Sequence, residues 1–122
     1  MPLHKSFSAF AELLLSNQGL TAIDRFYHPN IEQYENHQEP LKGKKLLRAK
    51  EEAVSQGVSD VATKLSDVVI VEQEQLVWGR MTITFNSEEV GAKTLDQAFM
   101  QRWKDGQIIE QRFYYAGVID QE

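Results

Sequence analysis

Just before the turn at Glu39-Pro40 stand three side chains able to carry or steer a proton: Gln33, Glu35 and His37. Alternate residues of a strand share a face, so a short strand over 31–37 sets the three side by side. A carboxylate that faces an apolar pocket loses water, its pKa rises, and it can then take and return a proton near neutral pH. Glu35 is placed for that role, and His37 for orienting or protonating a substrate beside it. A short polar strand is also what a wet sheet edge looks like, and on that reading Glu35 is a surface residue.

Other chemistries lack their residues. The chain contains no Cys, which removes disulfides, thiol nucleophiles and Cys-based zinc or iron-sulfur sites. His4, His28 and His37 show no i, i+4 spacing, so no metal site is expected. No Gly-x-Ser-x-Gly elbow surrounds a serine and no Gly-rich phosphate loop occurs, so hydrolase and nucleotide readings have no motif and no cofactor is expected. A formal net charge of -5 repels nucleic acid and anionic membranes alike, and neither is an expected partner. Lys42, Lys44, Lys45, Arg48 and Lys50 cluster locally, but Glu51 and Glu52 follow at once, the pattern of a solvated helix face. No charged n-region precedes an apolar stretch and no run is long enough to span a bilayer, so the chain is expected to be cytoplasmic.

The elements that must hold Glu35 follow from periodicity. With 122 residues, 42% of them hydrophobic, the chain suits one globular domain over 1–122. Phe7, Phe10, Ala11, Leu14 and Leu15 recur on one helical face behind Ser6 as N-cap. Thr21 with Asp24 resembles a capping box opening a second short helix that ends at His28-Pro29-Asn30. Leu46, Leu47, Ala53 and Val54 predict a third helix over 44–56, between Gly43 and Gly57. Four β-rich segments follow, at 61–71, 76–85, 94–104 and 107–118, the last two joined by the hairpin dipeptide Asp105-Gly106. Helices first and strands later indicate α+β, and Val77, Met81, Ile83 and Phe85 alternate toward the helices.

This order is similar to that of the SnoaL-like group of the nuclear transport factor 2-like superfamily over nearly the whole chain. Two stretches carry the resemblance: Phe26-Tyr27-His28-Pro29-Asn30-Ile31 through Glu39-Pro40-Leu41-Lys42-Gly43-Lys44, and the hairpin from Arg102-Trp103 to Tyr114-Tyr115. The resemblance implies a cone-shaped curved antiparallel β-sheet with three N-terminal-side helices packed on its concave face. Members include polyketide cyclases, ketosteroid isomerases and dehydratases, many pocket proteins with no known reaction, and many dimers. The isomerases carry their general base on the short strand just before the proline turn, where Glu35 falls. Their two oxyanion donors have no counterpart, because Phe99 takes the aspartate's place and Ala11 lies near the tyrosine's. Steroid isomerase activity is therefore not expected.

By the same register Phe99, Gln101 and Trp103 on one strand, with Gln111, Phe113 and Tyr115 on the next, are expected to face the pocket. Together with Gln33, Met81 and Ile83 they would suit a small, mostly apolar organic molecule carrying one or two hydrogen-bonding groups. The rings could equally fill the core. Trp78, Arg80, Arg102 and Arg112 are expected on the outer sheet face, which a homodimer would cover. Two functions remain open: a pocket protein that transfers a proton with Glu35 in isomerisation, dehydration or cyclisation, and a non-catalytic ligand-binding or dimeric accessory domain.

Overall fold

The computed structural model describes residues 2–120. Helices α1 (Leu3–Leu15), α2 (Gly19–Phe26) and α3 (Lys44–Gln56) lie on one side of a sheet built from β1 (Tyr27–Glu35), β2 (Leu41–Lys42), β3 (Val58–Val71), β4 (Leu76–Ser87), β5 (Gly91–Lys104), β6 (Gln107–Tyr114) and β7 (Val118–Asp120). The strand order is β2-β1-β6-β5-β4-β3, with β7 pairing the far end of β5. The edges β2 and β3 do not meet, so the sheet is curved but unclosed. All pairs are antiparallel except β1 with β6, which run parallel. The expected α+β architecture with helices on the concave face is what the chain forms.

Curvature has local causes in β3. Its pairing with β4 shifts register between Ser59 and Ala62 and again between Ser66 and Val69. Asp60 and Asp67 take positive φ of 52° and 53° at those points. Each extra residue bends the strand and tightens its twist. The hairpin from β5 to β6 turns on Asp105 and Gly106, both at positive φ, as the dipeptide predicts.

Several boundaries differ from the sequence reading: β3 and β5 start three residues earlier, at Val58 and Gly91, β4 runs on to Ser87, β6 ends at Tyr114, and three further differences bear on the packing around the site. Helix α1 starts at Leu3, and Ser6 is buried inside it rather than capping it. Its first backbone N–H groups, from Leu3 and His4, instead donate to the Glu72 carboxylate at 3.0 and 2.8 Å. An anion brought from the β3-β4 hairpin thus satisfies orphan donors that no neighbouring residue could. Helix α2 starts at Gly19, which leaves Thr21 within the helix rather than at its cap. Finally, the short strand runs from Tyr27 to Glu35, not to His37. Pro29 cannot continue a helix and drives His28 to extended backbone, and the register shift between Tyr27 and Glu32 accommodates it.

The core lies between α1, α2 and the narrow end of the concave face. Phe7 stacks on Phe99 with ring centroids 6.4 Å apart, while Phe10 and Phe26 meet Trp103 edge-on at 6.0 and 5.9 Å. These rings close one end of the cone. Helix α3, with Leu47 buried, covers the other end more loosely and leaves a cavity.

Candidate functional site

The cavity encloses about 720 Å³ between the three helices and the concave face of the sheet. Its wall is largely aliphatic and aromatic, from Leu14, Leu20, Leu47, Val54, Ile83 and Phe85 among others. The polar groups are few and ordered by strand register. One cross-strand row runs Val77, Gln101, Gln111, Gln33, and the next runs Gly79, Phe99, Phe113, Glu35. Glu35 therefore ends an aromatic row, and beside it runs a row with three amides.

Glu35 is held from two sides. The Lys50 ammonium of α3 donates to Oε2 at 3.0 Å, and the Tyr115 hydroxyl approaches Oε1 at 3.4 Å. Burial and the Glu35 charge both push the Tyr115 phenol up, so it stays a protonated donor. One turn face of α3 also brings Glu51 to the cavity wall. Loss of bulk water pushes its carboxyl up, against the pull of the Lys50 charge. The side chain keeps exposed area while it lines the cavity, and the desolvation is therefore partial.

At the closed end the amides form one chain. The Trp103 indole N–H donates to Gln101 Oε1 at 3.1 Å, and Gln101 Nε2 donates to Gln111 Oε1 at 2.8 Å. Gln111 Nε2 donates to the Tyr27 oxygen at 2.8 Å and to Gln33 Oε1 at 2.9 Å. Gln111 is only 1% exposed, and no buried side-chain nitrogen or oxygen among the described residues lacks a partner. Burial is the main reason the Tyr27 phenol is pushed up to about 12. Gln97 also lines the cavity, its amide holding only a 3.5 Å contact to Met81 Sδ.

Among the residues singled out by sequence, Gln33, Glu35, Met81, Ile83, Gln111 and Phe113 line the cavity. Phe99, Gln101 and Trp103 lie buried in the packed end and outside the cavity wall, with helix rings against Phe99 and Trp103. Tyr115 follows β6 and reaches the site through Glu35 rather than as a wall residue. His37 is a correction: Asn36 takes positive φ of 55°, the chain turns, and His37 is exposed outside the cavity wall. It shares no face with Glu35. The wall also contains Tyr27, Lys50 and Glu51, which the sequence does not single out: helical spacing extends to Tyr27, and the basic run around Lys50 and Glu51 has the pattern of solvated surface. The i, i+4, i+7 spacing of Leu47, Glu51 and Val54 was the available signal. No group of three or more His, Asp or Glu among the described residues could hold a metal ion.

A curved, unclosed sheet whose concave face and covering helices bound a cavity defines the nuclear transport factor 2-like class of α+β proteins. Within it the chain belongs to the SnoaL-like family: the model of the SnoaL-like domain matches residues 7–111. Similar solved structures include one assigned as a SnoaL-like polyketide cyclase from Mesorhizobium loti, 22% identical, covering 94% of this chain and 100% of that one at a TM-score of 0.79. An epoxide hydrolase of the LEH-like type from M. tuberculosis is 16% identical, covering 91% and 76% at 0.72. An NTF2-like protein from Burkholderia pseudomallei is 9% identical, covering 93% and 89% at 0.76. These likenesses show the fold alone. No curated protein matches the chain in sequence.

Proposed function

We propose that the cavity takes a small, mostly apolar organic molecule and that Glu35 moves a proton on it, in isomerisation, dehydration or cyclisation. The observation that carries this reading is the position of Glu35 in the wall of an apolar cavity, with Tyr115 on one oxygen and Lys50 on the other. The 3.4 Å contact to Tyr115 is long, so a substrate can displace it and reach Oε1. The carboxylate would then draw a proton from a carbon next to a carbonyl, the C–H pair moving into the new C=C bond and the C=O pair onto oxygen. The Glu35 acid would return the proton to the same or a neighbouring carbon. Solved structures of this fold bear the names polyketide cyclase and epoxide hydrolase, which supports a fold able to host chemistry on organic substrates. The proposed working form is a cytoplasmic homodimer joined through the outer face of the sheet.

A second reading, a ligand carrier without catalysis, is favoured by the same Lys50 contact, because the ammonium occupies one of the two oxygens that a base would turn to its substrate. Deuterium uptake at the α-carbon of enones and hydroxyketones, followed by NMR, separates the two. Acid/base work predicts acceleration by the wild type and its loss in Glu35→Gln, by a factor of about 100 or more. Binding without exchange, or equal exchange by Glu35→Gln, sinks the catalytic reading.

A further inference from the structure

The direction of the buried amide chain can be read from one end. An indole N–H only donates, so Gln101 must turn its oxygen to Trp103. Its NH2 then faces Gln111, whose oxygen must accept, and the Gln111 NH2 directs its two hydrogens to the Tyr27 oxygen and Gln33 Oε1. Flipping any one amide would set two donors face to face. The chain therefore ends in two groups that have accepted and still hold hydrogens: the Tyr27 hydroxyl and the Gln33 NH2. Among the described residues neither hydrogen meets an acceptor, and both residues line the cavity.

We propose that Tyr27 and Gln33 form a donor pair that holds one oxygen of the bound molecule, and that this molecule is an uncharged carbonyl compound. The inference rests on the ligand-binding reading above and adds the polarity of the site. The Tyr27 oxygen and Gln33 Oε1 accept from the same Gln111 nitrogen, at 2.8 and 2.9 Å, which makes the hydroxyl and the Gln33 amide neighbours on the cavity wall, where one ligand oxygen can be offered to both. A carbonyl oxygen has two lone pairs to offer such a pair. Glu35 and Glu51 stand in the same wall, and Lys50, the one ammonium of that wall among the described residues, is already paired with Glu35, so a carboxylate ligand meets repulsion. The phenol of Tyr27, with its raised pKa, keeps its proton across the whole working range. The weakly engaged amide of Gln97 gives the cavity a further polar group for a second ligand substituent.

The test uses α-tetralone and tetralin, the same bicycle with and without the carbonyl oxygen, titrated by NMR into the wild type and Tyr27→Phe. Loss of the donor should weaken α-tetralone about three- to tenfold, the worth of one neutral hydrogen bond, and leave tetralin unchanged. The infrared carbonyl stretch of α-tetralone should move to lower frequency on binding the wild type, and less on binding Tyr27→Phe. If Tyr27→Phe weakens both compounds equally or neither, or the wild type leaves the stretch unmoved, the donor pair is wrong while the cavity stands. If the wild type binds neither compound, the cavity reading falls and this inference with it.

Discussion

Glu51 shows how a charged surface residue becomes a site residue. It follows Leu47 by four positions and precedes Val54 by three, so the face of α3 that packs inward at Leu47 also carries Glu51 to the cavity. Desolvation raises its carboxyl above the ordinary value of 4.5, with Lys50 opposing. The folded state therefore keeps this proton to higher pH than the unfolded chain does, and folding loses stability as pH rises between the two values. Replacing Glu51 with Gln, which mimics the protonated form, should raise the melting temperature at about pH 8 and change it little at about pH 4. Thermal unfolding by circular dichroism at both pH values checks this, and an equal effect at the two would refute it. Glu35 was legible in the sequence because it precedes a proline turn on a short strand. Glu51 was not, because five basic neighbours from Lys42 to Lys50 hide the one face of α3 that looks inward. Tyr27 was misassigned because Phe26 and Tyr27 extend the apolar face of α2, and only Pro29 marks the change to strand.

At the scale of elements, the closed end of the cone depends on an absence of side chain. Gly79 of β4 lies opposite Phe99 of β5, and a Cβ there would stand 3.0 Å from the Phe99 ring and 3.2 Å from Val68 Cγ2. Phe99 is stacked on Phe7 and cannot swing away. Gly79→Ala should cost about 1–3 kcal/mol by overpacking, measured by urea denaturation. A neutral result would mean that the ring end of the cone is softer than its packing implies. The element order was legible because helical and strand periodicities are separated along the chain and Asp105-Gly106 marks its own turn. The start of α1 was not, because its N-terminal donors are satisfied by Glu72, far away in sequence. The return of β7 to β5 was also hidden, since 107–118 reads as one strand until Tyr115 to Gly117 break it. The parallel pairing of β1 with β6 is set by tertiary packing that no local pattern records.

For the whole molecule the open question is what covers the convex face. One cross-strand row on that face runs Val69, Trp78, Met100, Arg112, Tyr34, spanning β3, β4, β5, β6 and β1. The two members at its β3 end are open to solvent, Val69 at 57% and Trp78 at 45% exposure. At the other end the Arg112 guanidinium lies 3.9 Å from the Tyr34 ring and is braced by Glu110 at 2.7 Å. Strands about 4.8 Å apart make such a row roughly 19 Å long, a scale suited to a flat isologous contact. An exposed Trp and a preorganised Arg-Tyr pair in one row are also the composition that interfaces favour. The proposed homodimer thus predicts that the wild type elutes with a dimer mass by light scattering. Trp78→Glu should shift it toward monomer with its circular dichroism unchanged, because an exposed side chain contributes little to the fold itself. A monomeric wild type, or a Trp78→Glu variant as dimeric as its parent, would remove this face from the assembly and leave Trp78 without a structural role.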